Sequence, residues 1–176
     1  MKNLFVLFFA VLFSFVLGCG KTPEKEVKKE EKKEVKKEFV SGFYCLIDGE
    51  EFSLDDVASY IEKKKDSFTI EARIESPDGK YDYIQFEVNE PLKAGEYVLN
   101  PDKKPGHAQF RTNKFKAKKI ADDVDMFWSD SGKLIISKVD ENGAEGSFNL
   151  VFDGYAGDAA KKLNVTEGKI KLKFKK

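Results

Sequence analysis

Histidine and tryptophan each occur once in this chain of 176 residues, methionine and cysteine twice, and proline five times. One histidine leaves a histidine-based metal centre, or a nucleophile activated by histidine, without a second member that spacing could reveal. Two cysteines cannot staple a disulfide-dense scaffold. An excess charge of one sign is missing as well: 31 Lys and Arg stand against 31 Asp and Glu, so the chain lacks the wholesale cationic field of a nucleic-acid binder. Charged residues make up 35% of the whole, which excludes a polytopic membrane protein.

The averages conceal three segments. Lys2 precedes an apolar stretch, Leu4 to Leu17, interrupted only by Ser14. It is shorter than the roughly 20 residues a bilayer-spanning helix needs and suits the h-region of a signal peptide. Residues 21–38 read KTPEKEVKKEEKKEVKKE, with the hexapeptide KEVKKE at 25–30 and again at 33–38. Only Val27 and Val35 are large and apolar there, too little to order the segment by packing. Glu24 and Lys28 pair at helical spacing while Glu30, Glu34 and Glu38 repel, so partial helix is the most the pattern supports. Either extended or helical, it reads as a spacer, about 27 Å long as a helix and roughly 60 Å extended.

Residues 39–176 can fold alone and carry slightly more acid than base. Their dominant period is two. Phe68, Ile70, Ala72 and Ile74 alternate with polar residues, as do Ile84, Phe86 and Val88, then Phe148, Leu150 and Phe152, then Ile170, Leu172 and Phe174. Each set falls on one side of a pleated strand, which predicts antiparallel sheet with one buried face. Turn signals recur about every ten residues at Asp48-Gly49, Pro77-Asp78-Gly79, Lys93-Ala94-Gly95, Ser131-Gly132, Asn142-Gly143 and Glu167-Gly168. The expected class is all-β, an antiparallel β-sandwich or barrel-like meander of about eight or nine strands.

One stretch, 53–64, reads two ways. Leu54, Val57, Ala58 and Ile61 have helical spacing, Ser53 with Asp56 forms a capping-box pattern, and Lys63 to Lys65 suit a helix C-terminus, so a short helix is expected. Val57 to Lys63 also fits a strand entering a hairpin with Phe68 to Glu75.

Val16-Leu17-Gly18-Cys19 resembles the lipobox of bacterial lipoproteins. The resemblance implies a signal peptide over 1–18 cut after Gly18, a diacylglycerol on Cys19, and a lipidated tether over 19–38. Several acyl chains make an essentially permanent anchor. Gly20 is not the aspartate that resembles an inner-membrane retention signal, so the outer membrane is favoured if the source has one. The domain itself, through Ile47-Asp48-Gly49-Glu50-Glu51-Phe52, Ala94-Gly95-Glu96-Tyr97-Val98-Leu99, Ser131 to Asp140, Glu145 to Leu150 and Val165 to Ile170, resembles a family of uncharacterised bacterial lipoprotein domains. That resemblance implies an envelope-facing β domain with no assigned activity, and favours strand near Val57 to Lys63. Lys103 to Asp125 fits none of its motifs.

Chemistry-bearing residues are few. His107 reads as an exposed loop or strand-end residue, and Cys45 as a small buried hydrophobe. Asp55-Asp56, Asp122-Asp123-Asp125 and the segment from Asp153 to Asp158 are ordinary turn chemistry rather than calcium loops. Lys169, Lys171, Lys173 and Lys175 read as charge blunting an edge strand. Tyr81 and Tyr83 share the polar side of one strand, and one of Phe127 and Trp128 must point outward; Tyr81, Tyr83 and Trp128 are the candidate binding residues. No catalytic residue, metal ligand or cofactor is assigned. The expected protein is a non-catalytic binding or interaction module held to a membrane by its lipid, with an envelope ligand or protein as partner and no nucleic acid. The alternatives are a structural accessory of the envelope and a carboxylate-based hydrolase.

Overall fold

The computed structural model describes residues 39–55, 58–100, 105–113, 125–156 and 159–176. The signal segment, Cys19, the tether, Asp56, Val57, Asp122, Asp123 and Asp158 lie outside the described residues. The alternating segments form ten antiparallel strands: β1 Gly42–Ile47, β2 Glu50–Leu54, β3 Ser59–Lys63, β4 Phe68–Glu75, β5 Tyr81–Val88, β6 Gly95–Val98, β7 Gly106–Thr112, β8 Asp125–Val139, β9 Gly143–Ala156 and β10 Ala159–Lys173. They join one sheet in the order β2-β1-β10-β9-β8-β7-β5-β4-β3, with β6 also pairing β8. The sheet curls into a nearly closed barrel: Ile61 of β3 bridges Phe174, just beyond β10, and accepts a backbone hydrogen bond from Lys175 at 2.8 Å.

Turn chemistry matches the sequence. Asp48 and Gly49 both take positive φ, 49° and 83°, the geometry of a two-residue hairpin between β1 and β2. Closing the sheet turns every inward set onto one phenylalanine-rich core. Phe43, Phe86 and Phe148, from β1, β5 and β9, meet with ring centroids 4.9–6.0 Å apart. Phe110 stacks on Phe127 at 5.9 Å. The buried Tyr97 accepts a hydrogen bond from the Lys93 N–H at 2.9 Å and donates toward the Lys93 and Pro91 carbonyls, which fastens the loop before β6.

The long strands are not simple alternators. In β8, odd positions (Phe127, Ser129) are buried before a bulge between Ser129 and Ser131, and even positions (Leu134, Ile136) after it. One extra residue flips the faces. β10 flips likewise, from Leu163 and Val165 to Ile170 and Leu172, at the irregularity between Val165 and Gly168. The flip in β8 lets its first half pair β7 and its second half pair β6.

Two sequence expectations need correcting. No short helix forms near 53–64 among the described residues: Ser53 lies in β2 opposite Tyr44, and Ser59 to Lys63 form β3 against β4. The apparent helical spacing is two short inward sets, Phe52 with Leu54 and Ser59 with Ile61, joined by a turn. Asp55 shapes that turn, its carboxylate accepting from the Ala58 N–H at 3.1 Å and its carbonyl from the Ser59 hydroxyl at 2.9 Å. Ladder pairing with β4 outweighs a helix propensity worth only tenths of a kcal/mol per residue. The second correction concerns the lysine row. β10 lies between β1 and β9, so Lys169, Lys171 and Lys173 protect no edge. The ends of the sheet are instead the five-residue strands β2 and β3, whose shortness limits edge pairing.

Candidate binding face

Alternation in β4, β5, β7 and the first part of β8 sends one set of side chains to the core and the other to the outer surface. The register then decides which outward residues become neighbours. Glu71, Gln85, Gln109 and Trp128 form one row across the four strands, and Arg73, Tyr83, Arg111 and Met126 the next. Trp128 is 42% exposed and Met126 37%, while Phe127 between them is fully buried, so the tryptophan is the outward member of that pair. Tyr81 and Tyr83 are both half-buried on this same face. The three candidate aromatics therefore share one face of the sheet, although they belong to two strands that are not adjacent in it.

Both arginines of the sequence sit against one ring. The Arg73 guanidinium lies 4.8 Å and that of Arg111 5.7 Å from the centroid of Tyr81. A guanidinium stacks on an aromatic face and still presents a planar fork of donors, which a lysine cannot do. Arg73 also holds Glu75 at 2.8 Å. Gln109 donates a side-chain hydrogen bond to Gln85 in the adjacent row position. His107 sits 5.7 Å from the Trp128 ring and 3.6 Å from the Glu87 carboxylate, an ion pair only when the imidazole is protonated.

Burial foremost, then the carboxylates of Glu71 and Glu87, pushes the Tyr83 hydroxyl up to about 12. The native state therefore holds this proton more tightly than the unfolded chain, whose tyrosine titrates near 10. The resulting stabilisation is fully present below pH 10 and is lost as pH rises toward 12. Denaturant melts at pH 9 and pH 12 should show wild type losing more stability than Tyr83→Phe; parallel losses would rule out the tight proton.

No protein-family model, curated protein or solved structure matches this chain.

The remaining candidates are dispersed. Cys45 is fully buried opposite Phe52, and burial raises its thiol far above the ordinary range, which keeps it protonated and unreactive. Asp55 belongs to the β2–β3 turn, and Asp153 pairs in register with Trp128 on the outer side of β9. Among the described residues no three His, Cys, Asp or Glu side chains converge as a metal site would require. Among the described residues two carboxyls on exposed turns are displaced downward: Asp78 is pushed down to about 2 by Lys80 and Ser76, and Asp140 is lowered by the Asn142 N–H and then by Lys138. Sequence reasoning missed Arg73, Arg111, Gln85 and Gln109 as members of the face. The available signal was the use of arginine only twice in a lysine-rich chain.

Proposed function

We propose that the chain is a lipid-anchored protein of the bacterial cell envelope that displays a non-catalytic binding domain. The Val16-Leu17-Gly18-Cys19 sequence supplies the attachment at Cys19, and the charged segment to Glu38 supplies reach. Acylation at Cys19 holds the domain at the membrane without spanning it; in a source with two membranes the outer one is its destination. The observation that carries the binding reading is the outer face on which the exposed Trp128 and the half-buried Tyr81 and Tyr83 stand beside two stacked guanidiniums. A stable core has no use for this collection on its wet side, whereas flat rings flanked by forked donors and amides are the means by which a sheet grips a polar partner.

Trp128 is the only tryptophan, so its fluorescence reports directly on the face. Titrating the full chain in detergent with soluble envelope polysaccharides should give a saturable change in emission. Replacing Tyr81 and Tyr83 together by serine should weaken that binding about tenfold, at roughly 0.5–1.5 kcal/mol for each ring contact. Mass measurement of the mature chain should find an acylated Cys19 as its first residue. An intact Met1 would remove the anchor, and a flat titration would remove the glycan-facing role of these rings. The accessory reading is favoured instead if deleting Lys21 to Glu38 abolishes function while the tyrosine pair can be replaced without effect.

A further inference from the structure

Asn142-Gly143, in the turn that joins β8 to β9, is the only asparagine–glycine pair of the chain. Such a pair can cyclise on itself, because a glycine nitrogen has no neighbouring Cβ to shield it. A bond forms between the Gly143 backbone nitrogen and the Asn142 Cγ, and the bond from Cγ to Nδ2 breaks. The proton given up by the Gly143 nitrogen leaves with the departing ammonia. Water then opens the resulting succinimide. Opening at the side-chain carbonyl gives aspartate, and opening at the α-carbonyl gives isoaspartate, whose main chain runs through Cβ and Cγ.

The folded hairpin secures the attacking atom. Asp140 Oδ1 accepts from the Asn142 N–H at 2.9 Å and from the Gly143 N–H at 3.1 Å. The Gly143 carbonyl accepts from the Asp140 N–H at 3.0 Å, and the Asn142 carbonyl from the Phe174 N–H at 2.9 Å. Both polar atoms of the peptide bond between Asn142 and Gly143 are therefore held, with Gly143 buried and Asn142 exposed. A carboxylate on an N–H also opposes loss of that proton, which the attack requires. The Asn142 N–H, and after it Lys138 at 3.0 Å, keep the Asp140 carboxyl below the usual carboxylate range, so it is ionised at neutral and alkaline pH, where this chemistry runs.

The same turn meets the seam of the barrel. Phe174, whose N–H binds the Asn142 carbonyl, bridges Ile61 of β3, and the next residue, Lys175, donates to the Ile61 carbonyl. In isoaspartate the α-carbonyl of residue 142 becomes a free carboxylate beside a lengthened main chain, and the acceptor of the Phe174 N–H leaves its place. We infer that Asn142 is a site of spontaneous deamidation, that Asp140 holds the reaction in check through its bond to the Gly143 N–H, and that conversion to isoaspartate loosens the closure of the barrel at Phe174.

The full chain in detergent micelles is held at mildly alkaline pH, folded or unfolded in guanidinium, and sampled over weeks. Peptide mass spectrometry follows the exchange of amide for acid at Asn142, and enzymatic methylation labels isoaspartate. The folded chain should convert at least about tenfold more slowly than the unfolded one, and Asp140→Ala should speed the folded chain about tenfold. If Asp140→Ala melts far below wild type, Asp140→Asn takes its place; it keeps the Oδ1 acceptor without the charge and should still convert several-fold faster. Lys138→Ala leaves the carboxylate on the N–H and should convert like wild type. Equal rates for folded and unfolded chain overturn the protection. Rates unchanged by the Asp140 variants, or raised equally by Lys138→Ala, overturn the assignment to Asp140. The isoaspartate form, separated by its added charge, should melt below the unconverted chain, and equal melting overturns the link to barrel closure.

Discussion

Phe148→Ala should lower the stability of the folded domain by about 3–5 kcal/mol, the usual cost of deleting a buried phenylalanine ring. Phe148 is 1% exposed at the middle of β9, and its ring centroid lies 5.0 Å from Phe43 and 4.9 Å from Phe86. These rings come from strands on different sides of the barrel, so the cavity left by truncation opens where the walls meet. Neighbouring backbone cannot collapse into it, because it is held in ladders on both sides of β9. For a domain of this size the loss corresponds to a melting-temperature drop on the order of 10–20 °C, a large part of the 5–15 kcal/mol that keeps such domains folded. Circular dichroism melts of wild type, Phe148→Ala and Ser147→Ala decide it. The outward Ser147 should tolerate alanine within about 0.5 kcal/mol. A Phe148 variant melting within two or three degrees of wild type would show that the ring cluster is not the centre of the core.

Gly132→Ala should be nearly as damaging, for a backbone reason. Gly132 follows the β8 bulge with φ of 144°, and an added Cβ would stand 2.4 Å from the Asn149 carbonyl oxygen and 2.7 Å from the Leu150 Cα. The strained conformation alone costs about 1–3 kcal/mol for a residue with a side chain. The collision adds to it, since the atoms struck are backbone of β9 and cannot move without opening the ladder. Gly79 is the control. It also has positive φ, 79°, but nothing lies within 4 Å of its Cβ position, so Gly79→Ala should cost only the strain, about 1–2 kcal/mol. If both variants lose the same stability, close packing at the bulge contributes nothing. If Gly132→Ala loses more and also shifts the spectroscopic signature of Trp128, the flip of β8 is what sets the outward residues of the binding face.

The candidate face shows how far local pattern reaches. That Tyr81 and Tyr83 share the polar side of a strand was readable from alternation, and so was the need for one of Phe127 and Trp128 to face water. That they share a face was not readable, because β7 intervenes between β5 and β8 in the sheet and contributes Gln109 and Arg111. β7 lies in the stretch from Lys103 to Asp125 that fits no recognisable motif, although Ala108 and Phe110 alternate inward there. Buried polar residues were equally silent in the sequence: Asp82 and Thr112, both fully buried, are joined across β5 and β7 by a hydrogen bond that the Thr112 hydroxyl donates to the Asp82 carboxylate.

The sequence by itself determined the all-β class, the inward residues of most strands and the positions of the tight turns, because side-chain period and turn chemistry are local properties that a few residues dictate. Tertiary structure alone decided that Ser53 and Leu54 end one strand and Ser59–Lys63 form another, that β10 lies inside the sheet with its lysines guarding no edge, and that both arginines share one tyrosine ring. Those outcomes depend on which strands become neighbours and where bulges reverse a face. Strand order is settled by closing the barrel over a common core, and no single segment carries that information.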